Sequence, residues 1–508
     1  MKNLRSALCL FAMASFAWLS STPALALNLP RFFSDNMVLQ RDMPVKIWGW
    51  ADPGQEVEVS FAGQKMTSKA GPDGRWAATL APLPANAEPT EISISAGDKK
   101  ISIKNVLVGE VWICSGQSNM EWVLNNTHNA KEAIAAANFP AIRQFKVKLT
   151  TNPKPQSDVS GDWSVCAPAT APNFTAVGYH FALQLHQKLN VPIGLLNTSW
   201  GGTRIEPWTD PEGFTVSPKL KDISDLIANA DEVHRKNQAA KLDQFETWIK
   251  ESREALEKKS GLPTFPGAMP DHPLNRADQP TAIYNAMVAP LVPYAFRGAI
   301  WYQGESNNGE GMLYYEKMRA LISSWRNLWK QGDFPFLYVQ LAPYRYGRPE
   351  ALPGIWEAQT EALSIPNTGM AVITDIANVS DIHPRNKEEV GRRLSLWALS
   401  KTYQKGGIEF SGPLYKSMKI DGSRIILTFD HAHGLKSLDG KPLGWFTVAG
   451  ADKSFVEAKA EISGHTLIVS SEAVAAPVAI RFGWNELAEP NLANGAGLPA
   501  SPFRTDRW

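Results

Sequence analysis

Residues 27–104 show an alternation of apolar and polar side chains. The alternation is clearest in Val45–Trp50, Glu56–Phe61 and Glu91–Ser95. A period of two is typical of strands that bury one face. The turn-forming run Gly71-Pro72-Asp73-Gly74 separates two of these segments. The pattern therefore predicts a small antiparallel β sandwich over residues 27–104.

From about residue 105 the pattern changes to short, wholly apolar runs that alternate with longer segments of helical periodicity. Such runs are typical of buried parallel strands, and the amphipathic helices between them cover both faces of the sheet. The pattern predicts an open parallel sheet over residues 105–405. The predicted strands are Val106–Ile113, Ile193–Asn197, Gly298–Tyr302, Phe334–Leu341 and Gly369–Asp375, and the predicted helices are Val177–Leu189, Leu313–Trp329, Ile355–Leu363 and Lys387–Lys401.

Two further segments depart from that alternation. Residues from about 217 to 257 are charged and helical in pattern, and we interpret them as a solvated helical hairpin that leaves the sheet. Alternation with period two returns after residue 405, for example in Arg424–Phe429 and Thr466–Val469. A second β region is therefore predicted over residues 406–508.

The N-terminus has the pattern of a secretory signal peptide. Lys2 and Arg5 precede the apolar run Ala7–Leu19, and the small-x-small sequence Ala24-Leu25-Ala26 follows. An uncleaved anchor is the alternative, but the run is shorter than the roughly 20 residues that span a bilayer. We expect residues 1–26 to be removed and the mature protein to be exported, to a periplasm or outside the cell, without a membrane anchor.

Composition and charge bear on three expectations, namely nucleic-acid binding, a disulfide and a metal or other cofactor. The 508 residues contain 51 Lys plus Arg against 50 Asp plus Glu, so no net field would attract nucleic acid. Cys114 and Cys166 remain after signal cleavage, and either a disulfide or two buried thiols fits them. No cluster with metal-ligand spacing occurs, so neither a metal nor another cofactor is predicted.

Ligands of open parallel sheets gather where the strands end at their carboxyl edge. Ser118 follows the first predicted strand at a strand-to-helix turn, where its hydroxyl could act as a nucleophile or simply cap a helix. The paired glycines Gly201 and Gly202 follow the second strand, where they form either an oxyanion site or a plain tight turn. Asp381 and His383 follow the last predicted strand, and a carboxylate beside a histidine is typical of a general base.

Four blocks of residues occur at these strand ends, and together they resemble the ordered sequence blocks of SGNH hydrolases. The similarity is greatest to the sialate O-acetylesterase family of carbohydrate esterases, and it extends from Arg31 to Asp506. The resemblance implies an α/β fold with a flavodoxin-like three-layer domain to which β segments are attached. The blocks are Gly116-Gln117-Ser118-Asn119, Trp200-Gly201-Gly202-Thr203, Gln303-Gly304-Glu305-Ser306-Asn307 and Asp381-Ile382-His383-Pro384.

The resemblance also implies the role of each catalytic residue. It makes Ser118 the nucleophile, His383 the general base and then the general acid, and Asp381 the group that orients His383. Many SGNH enzymes place the acid three residues before the histidine, whereas Asp381 lies only two residues before it. A backbone carbonyl, or less favourably Asp375, is the alternative partner of the imidazole.

The same resemblance implies an oxyanion hole and a sugar site. The N–H groups of Ser118 and Gly202 are the expected backbone donors of the hole. The third donor is expected to be the side-chain amide of Gln303, with Asn307 as second choice, because the family's usual Asn position holds Ser306 here. The substrate is expected to be an O-acetylated sugar.

Two residues are candidates for sugar binding, Trp200 and Arg204. Arg204 could bind the carboxylate of a sialic acid, or it could pair with Glu206 as a structural ion pair. Acetylated hemicellulose is the rival substrate class, and a non-catalytic sugar-binding protein is the rival function. A lipase is disfavoured because the segment 217–257 is too charged to form an apolar lid.

Overall fold

The computed structural model describes residues 27–508, so the predicted signal peptide lies outside the described residues. The first β region pairs β3 with β4 and β6, and β6 continues the same sheet to β7; β2 and β5 form a separate two-stranded sheet. Its strands are β1 (Val38–Gln40), β2 (Val45–Trp50), β3 (Glu56–Phe61), β4 (Gln64–Lys69), β5 (Arg75–Leu80), β6 (Asn86–Ala96) and β7 (Lys99–Gly116).

Strand β7 is 18 residues long and belongs to both parts of the molecule. Its first half pairs antiparallel with β6, and its second half is a central strand of the large parallel sheet. The predicted domain boundary after residue 104 falls inside this strand, and one hydrophobic core runs through both parts. The domain bounds stay predictions.

The large sheet has the order β13-β12-β11-β7-β10-β8-β9. All neighbouring pairs are parallel except β8 and β9, which are antiparallel. The predicted strands Ile193–Asn197 and Gly298–Tyr302 are confirmed, while β8 and β9 were not predicted. The strands are β8 (Phe139–Val147), β9 (Gly161–Cys166), β10 (Ile193–Asn197), β11 (Gly298–Tyr302), β12 (Phe336–Val339) and β13 (Thr368–Ala371).

Helices cover both faces of this sheet, so the predicted fold class is confirmed. Helices α3 and α7 pack together on one face, where Gly391 allows the close approach: a Cβ there would lie 2.7 Å from the Phe181 nitrogen. On the other face, Trp301 of β11 contacts Trp325 of α5, with ring centroids 6.4 Å apart. The helices are α1 (Ser118–Glu121), α2 (Ala130–Ala135), α3 (Ala176–Leu189), α4 (Lys221–Glu257), α5 (Leu313–Trp329), α6 (Ala351–Glu361) and α7 (Lys387–Trp397).

The helical hairpin predicted over about 217–257 is wrong. Lys221–Glu257 form one continuous helix, α4, of 37 residues. It contains neither Gly nor Pro, so nothing in its backbone favours a turn. No helix in residues 27–508 combines the length and apolar character that a bilayer crossing requires.

The last β region has its own hydrophobic core and packs on the part of the molecule that contains the large sheet. Arg504 pairs with Glu357 of α6 at 2.9 Å, and Gln340, which follows β12, donates to Ser501 at 2.8 Å. Its strands are β14 (Leu414–Asp421), β15 (Arg424–Asp430), β16 (Lys436–Ser437), β17 (Phe446–Ala449), β18 (Phe455–Glu457), β19 (Lys459–Ser463), β20 (Thr466–Ser470), β21 (Ala479–Phe482), β22 (Leu492–Ala493) and β23 (Phe503–Arg504).

Candidate active site

The turn between β7 and α1 places Ser118 at the carboxyl edge of the sheet. Gly116 has φ +131°, and a Cβ there would lie 2.2 Å from the Tyr302 carbonyl oxygen, so the turn needs glycine. The Gln117 N–H donates to that same carbonyl at 2.9 Å. Gln117 is the N-cap of α1, and Ser118 is the first residue of the helix. The alternative that Ser118 caps the helix is therefore wrong.

Ser118 and His383 are in direct contact. The Nε2 atom of His383 lies 2.9 Å from the Ser118 hydroxyl, within hydrogen-bond distance. The Trp122 ring stacks on the imidazole with centroids 4.6 Å apart and an interplanar angle of 20°. Trp122 directly follows α1, so the chain segment that carries Ser118 also packs against one face of the His383 imidazole.

The Asp381 carboxylate lies beside the imidazole but does not form a short hydrogen bond with it. Its Oδ1 atom is 3.8 Å from Nδ1 of His383 and accepts the backbone N–H of His383 at 3.0 Å. Arg385 approaches the other carboxylate oxygen at 3.6 Å. The substitute considered from the sequence, Asp375, forms a bidentate ion pair with Arg393, with both N···O distances 2.6 Å. Of these two carboxylates, Asp381 is therefore the one that lies beside the His383 imidazole.

A buried hydrogen-bond network joins the turn at Ser118 to the loop that carries His383. The Asn119 amide nitrogen donates to the Ile382 carbonyl at 3.0 Å and to a Glu305 carboxylate oxygen at 2.6 Å. Lys387, which is fully buried, donates to the Asn119 amide oxygen and lies 5.0 Å from the centre of the Tyr302 ring. Because Asn119 follows Ser118 and Ile382 precedes His383, this amide fixes the segments of Ser118 and His383 relative to each other.

The network also sets the protonation of the site. Burial, and then the positive charge of Lys387, lower the pKa of His383, while Asp381 opposes the shift. Burial lowers the pKa of Lys387 itself to about 7, although Glu305 and Asp381 favour its charged form. Burial raises the pKa of Glu305. A lowered histidine pKa keeps the imidazole neutral, which is the form that can accept a proton from serine.

The glycine loop after β10 lies against Ser118. Gly201 donates its N–H to Glu121 at 2.6 Å, and a Cβ at Gly201 would lie 3.3 Å from the Ser118 Cβ. Gly202 has φ +75°. Within residues 27–508, the N–H groups of Gly202 and Ser118 donate to no protein acceptor. They are the two backbone donors that could bind an oxyanion here, and Trp200 lies half-buried beside them.

The structure corrects the expected third donor. The Gln303 amide nitrogen donates to Asn307 at 2.8 Å and to the Thr203 carbonyl at 3.2 Å. The Asn307 amide nitrogen donates to Glu206 at 3.1 Å and to Glu310 at 3.2 Å. An amide nitrogen has two hydrogens, so both side chains have used their donors within the buried protein. Neither Gln303 nor Asn307 offers a free N–H to Ser118.

Arg204 belongs to a compensated charge cluster rather than to an open anion site. Its guanidinium bonds Glu206 at 3.0 Å, bonds Glu310, and donates to the Ser306 carbonyl at 3.2 Å. Lys317 bridges the same two carboxylates at 2.6 and 2.7 Å. Two cations thus neutralise two anions, and they hold the pKa of Glu206 at about 2 despite its burial. The structure therefore contains the ion pair between Arg204 and Glu206, which was the alternative to the binding of a sialic acid carboxylate by Arg204.

Sequence reasoning did not identify four residues of this site, namely Asn119, Trp122, Glu305 and Lys387. Asn119 and Glu305 lie inside two of the sequence blocks, and Lys387 begins a predicted helix four residues after His383. Burial of Lys387 was the missing signal, because a lysine at a helix start is ordinarily solvated.

Two other features bear on the chemistry. Among residues 27–508, no group of three or more His, Cys, Asp or Glu side chains could hold a metal ion. Cys114 and Cys166 are separate buried thiols, and burial raises the pKa of Cys166 to about 11. Neither thiol is a candidate nucleophile, because the thiolate is the reactive form.

Comparison with known proteins decides the family. Residues 265–396 match the family model described as carbohydrate esterase, sialic acid-specific acetylesterase. Sialate O-acetylesterase of Rattus norvegicus is 30% identical over 548 residues, which cover 97% of this chain and 97% of that protein. This chain belongs to the sialate O-acetylesterase family. The Homo sapiens sialate O-acetylesterase is 27% identical over 457 residues, covering 82% of this chain and 78% of that protein.

A solved structure supports the same assignment. The carbohydrate acetylesterase XAC1771 from Xanthomonas citri superposes with a TM-score of 0.81 at 37% identity, covering 95% of this chain and 100% of that one. The resemblance inferred from the four blocks is thereby confirmed. The chain is a carbohydrate esterase of the sialate O-acetylesterase type, and membership of this family implies an O-acetylated sugar as substrate.

Proposed function

We propose that this enzyme hydrolyses O-acetyl esters of sialic acids through an acyl-enzyme intermediate. The observation that carries the mechanism is the contact of 2.9 Å between the Ser118 hydroxyl and Nε2 of His383. A serine hydroxyl is a weak nucleophile until a base accepts its proton during attack, and the contact with His383 supports this imidazole as that base.

In the first half of the reaction, Ser118 attacks the acetyl carbonyl carbon while His383 takes the hydroxyl proton. The carbonyl oxygen becomes an oxyanion, and the N–H groups of Ser118 and Gly202 donate to it. Asp381 holds the loop through the His383 backbone N–H, and its charge favours the imidazolium that forms.

The tetrahedral intermediate then collapses with loss of the sugar oxygen. His383 returns its proton to that oxygen, so the sugar leaves with a free hydroxyl and the acetyl group stays on Ser118. Water attacks the acetyl-serine while His383 again accepts a proton. Release of acetate restores the serine hydroxyl, and no cofactor takes part in this scheme.

The relatives' names support sialic acid as the acetylated sugar, whereas Arg204 supports a neutral one. Because its guanidinium already binds Glu206 and Glu310, Arg204 does not present a free pair of N–H groups to a sugar carboxylate. An acetylated hemicellulose is therefore the second candidate substrate. The test is acetate release from O-acetyl sialic acids, acetyl-xylan and acetyl-xyloglucan at equal ester concentration. Sialic acid esters should be hydrolysed fastest. A preference for acetyl-xylan or acetyl-xyloglucan would instead make acetylated hemicellulose the first candidate substrate.

We also propose that the enzyme is exported to a periplasm or beyond the cell. The support is the sequence of residues 1–26, with its basic start, short apolar run and small-x-small end. Expression of the full chain in a Gram-negative host should give a periplasmic or secreted protein whose first residue lies near Leu27. Recovery of the enzyme in the cytoplasm with residues 1–26 attached would contradict export.

A further inference from the structure

A groove of about 710 Å³ lies between the first β region and the catalytic part, away from Ser118 and His383. One wall is the two-stranded sheet of β2 and β5. The other wall includes Pro155–Ser157, Tyr284, Ala289, Pro290, Val292 and Pro293. The volume is within the roughly 300–1,000 Å³ typical of small-molecule sites. The mechanism uses none of the residues that line it.

The wall made by β2 and β5 carries aromatic and basic side chains on one face. Along β2, Val45 and Ile47 are buried, whereas Trp48 and Trp50 are half-buried and line the groove. Arg75 of β5 is directly opposite Trp50 in the antiparallel register. Side chains of directly opposed residues project from the same face, so Trp50 and Arg75 occupy adjacent positions on the groove wall.

The groove is basic as well as aromatic. Lys46, Lys69 and Arg75 line it, and no Asp or Glu is among its lining residues. Arg75 has one carboxylate near it, Asp73 at 3.7 Å, and both of these side chains are about two-thirds exposed (67% and 65%). Among residues 27–508, Lys46 and Lys69 form no ion pair within 4.0 Å. The charges of Lys46 and Lys69 are therefore not neutralised by a neighbouring carboxylate, and the Arg75 guanidinium is largely exposed to solvent beside Asp73.

We propose that this groove binds an acidic saccharide, with a sugar ring against Trp50 and its carboxylate at Arg75. An indole offers an apolar face to the C–H side of a sugar ring, and a guanidinium matches a carboxylate in bidentate geometry. The choice of a saccharide rests on the proposed function, and the charge of the groove selects an acidic one. The groove would hold an acidic glycan on the enzyme at a site separate from Ser118 and His383.

The test is binding of the whole enzyme to an unacetylated homopolymer of sialic acid, measured by titration calorimetry. Dextran tests for a neutral sugar, and polyglutamate tests for a polyanion without sugar rings. The sialic acid polymer should bind more tightly than either. Trp50→Ala and Arg75→Glu should each weaken that binding by about tenfold. Trp445→Ala is the matched control, since Trp445 is an exposed indole in the last β region, and it should bind as the wild type does.

Turnover of p-nitrophenyl acetate separates this proposal from the proposed function. Trp50→Ala and Arg75→Glu should leave it unchanged, because neither residue is in the catalytic site. Absence of binding to the polymer, equal binding of dextran or polyglutamate, or unchanged affinity in both variants would overturn the groove proposal. Any of these results could accompany normal acetate release from O-acetyl sialic acid. Conversely, a preference for acetyl-xylan would revise the substrate while leaving a measured groove affinity intact.

Discussion

Replacement of Asn119 by alanine tests whether the buried network positions the base. The variant loses the N–H donor to the Ile382 carbonyl at 3.0 Å, the donor to Glu305 at 2.6 Å and the acceptor of Lys387. One of these bonds is neutral and two involve ionisable partners that stay buried. Their loss should lower the free energy of unfolding by about 3–5 kcal/mol.

The catalytic effect should be larger than the stability loss alone explains. Ile382 directly precedes His383, so freeing its carbonyl lets the imidazole move relative to Ser118. A displacement of roughly 1 Å at a reacting group costs about a hundredfold, and we expect that loss in kcat with little change in KM. Asn119→Asp keeps an oxygen for Lys387 but lacks the N–H for Ile382. It should therefore lose kcat similarly.

The assay combines urea unfolding with p-nitrophenyl acetate kinetics at a temperature where circular dichroism shows a folded protein. Asn494→Ala is the matched control, because Asn494 is a buried amide of the last β region that donates to Ser411 at 2.8 Å. It should lose stability but keep kcat. A folded Asn119→Ala enzyme whose kcat stays within about threefold of wild type would refute the positioning role.

Three further outcomes follow from the site. Asp381→Asn should lower turnover by at least about a hundredfold with little effect on binding, and near-normal turnover beside an inactive His383→Ala variant would leave a Ser118–His383 dyad. In the pH profile of kcat/KM, the midpoint of the acidic limb should lie below the ordinary histidine pKa of about 6.5, because the pKa of His383 is lowered. Lys387→Met removes a positive charge that lowers this pKa, so it should move the midpoint to higher pH. p-Nitrophenyl acetate should be hydrolysed well above the butyrate, and the octanoate hardly at all, because Gly201 packs close to Ser118; equal rates would indicate an open acyl site.

The parallel strands could be predicted because burial on both faces leaves wholly apolar runs in the sequence. Strand β8 could not, because Arg143 and Gln144 interrupt its apolar pattern although both are buried. The Arg143 guanidinium is accommodated by the carbonyl and side chain of Asn105, 38 residues earlier. Such a partner is visible only once the chain is folded.

Within the site, the sequence indicated which residues meet but not which hydrogen bonds they form. Ser118 and His383 were predicted from their places after two strands, and the sheet brings them together. Gln303 was the right residue type for an oxyanion donor, but the Asn307 oxygen and the Thr203 carbonyl accept its hydrogens. Periodicity and spacing do not reveal such competition, because it depends on side-chain directions in a buried cluster.

The central claim is that Ser118 carries the acetyl group during turnover. Its most direct test is labelling of the wild-type enzyme with a fluorophosphonate probe, followed by peptide mass spectrometry. The label should occur on Ser118 alone, and Ser118→Ala should remain folded, take up no label and release no acetate. Labelling of another serine, or acetate release by the alanine variant at the wild-type rate, would contradict the account.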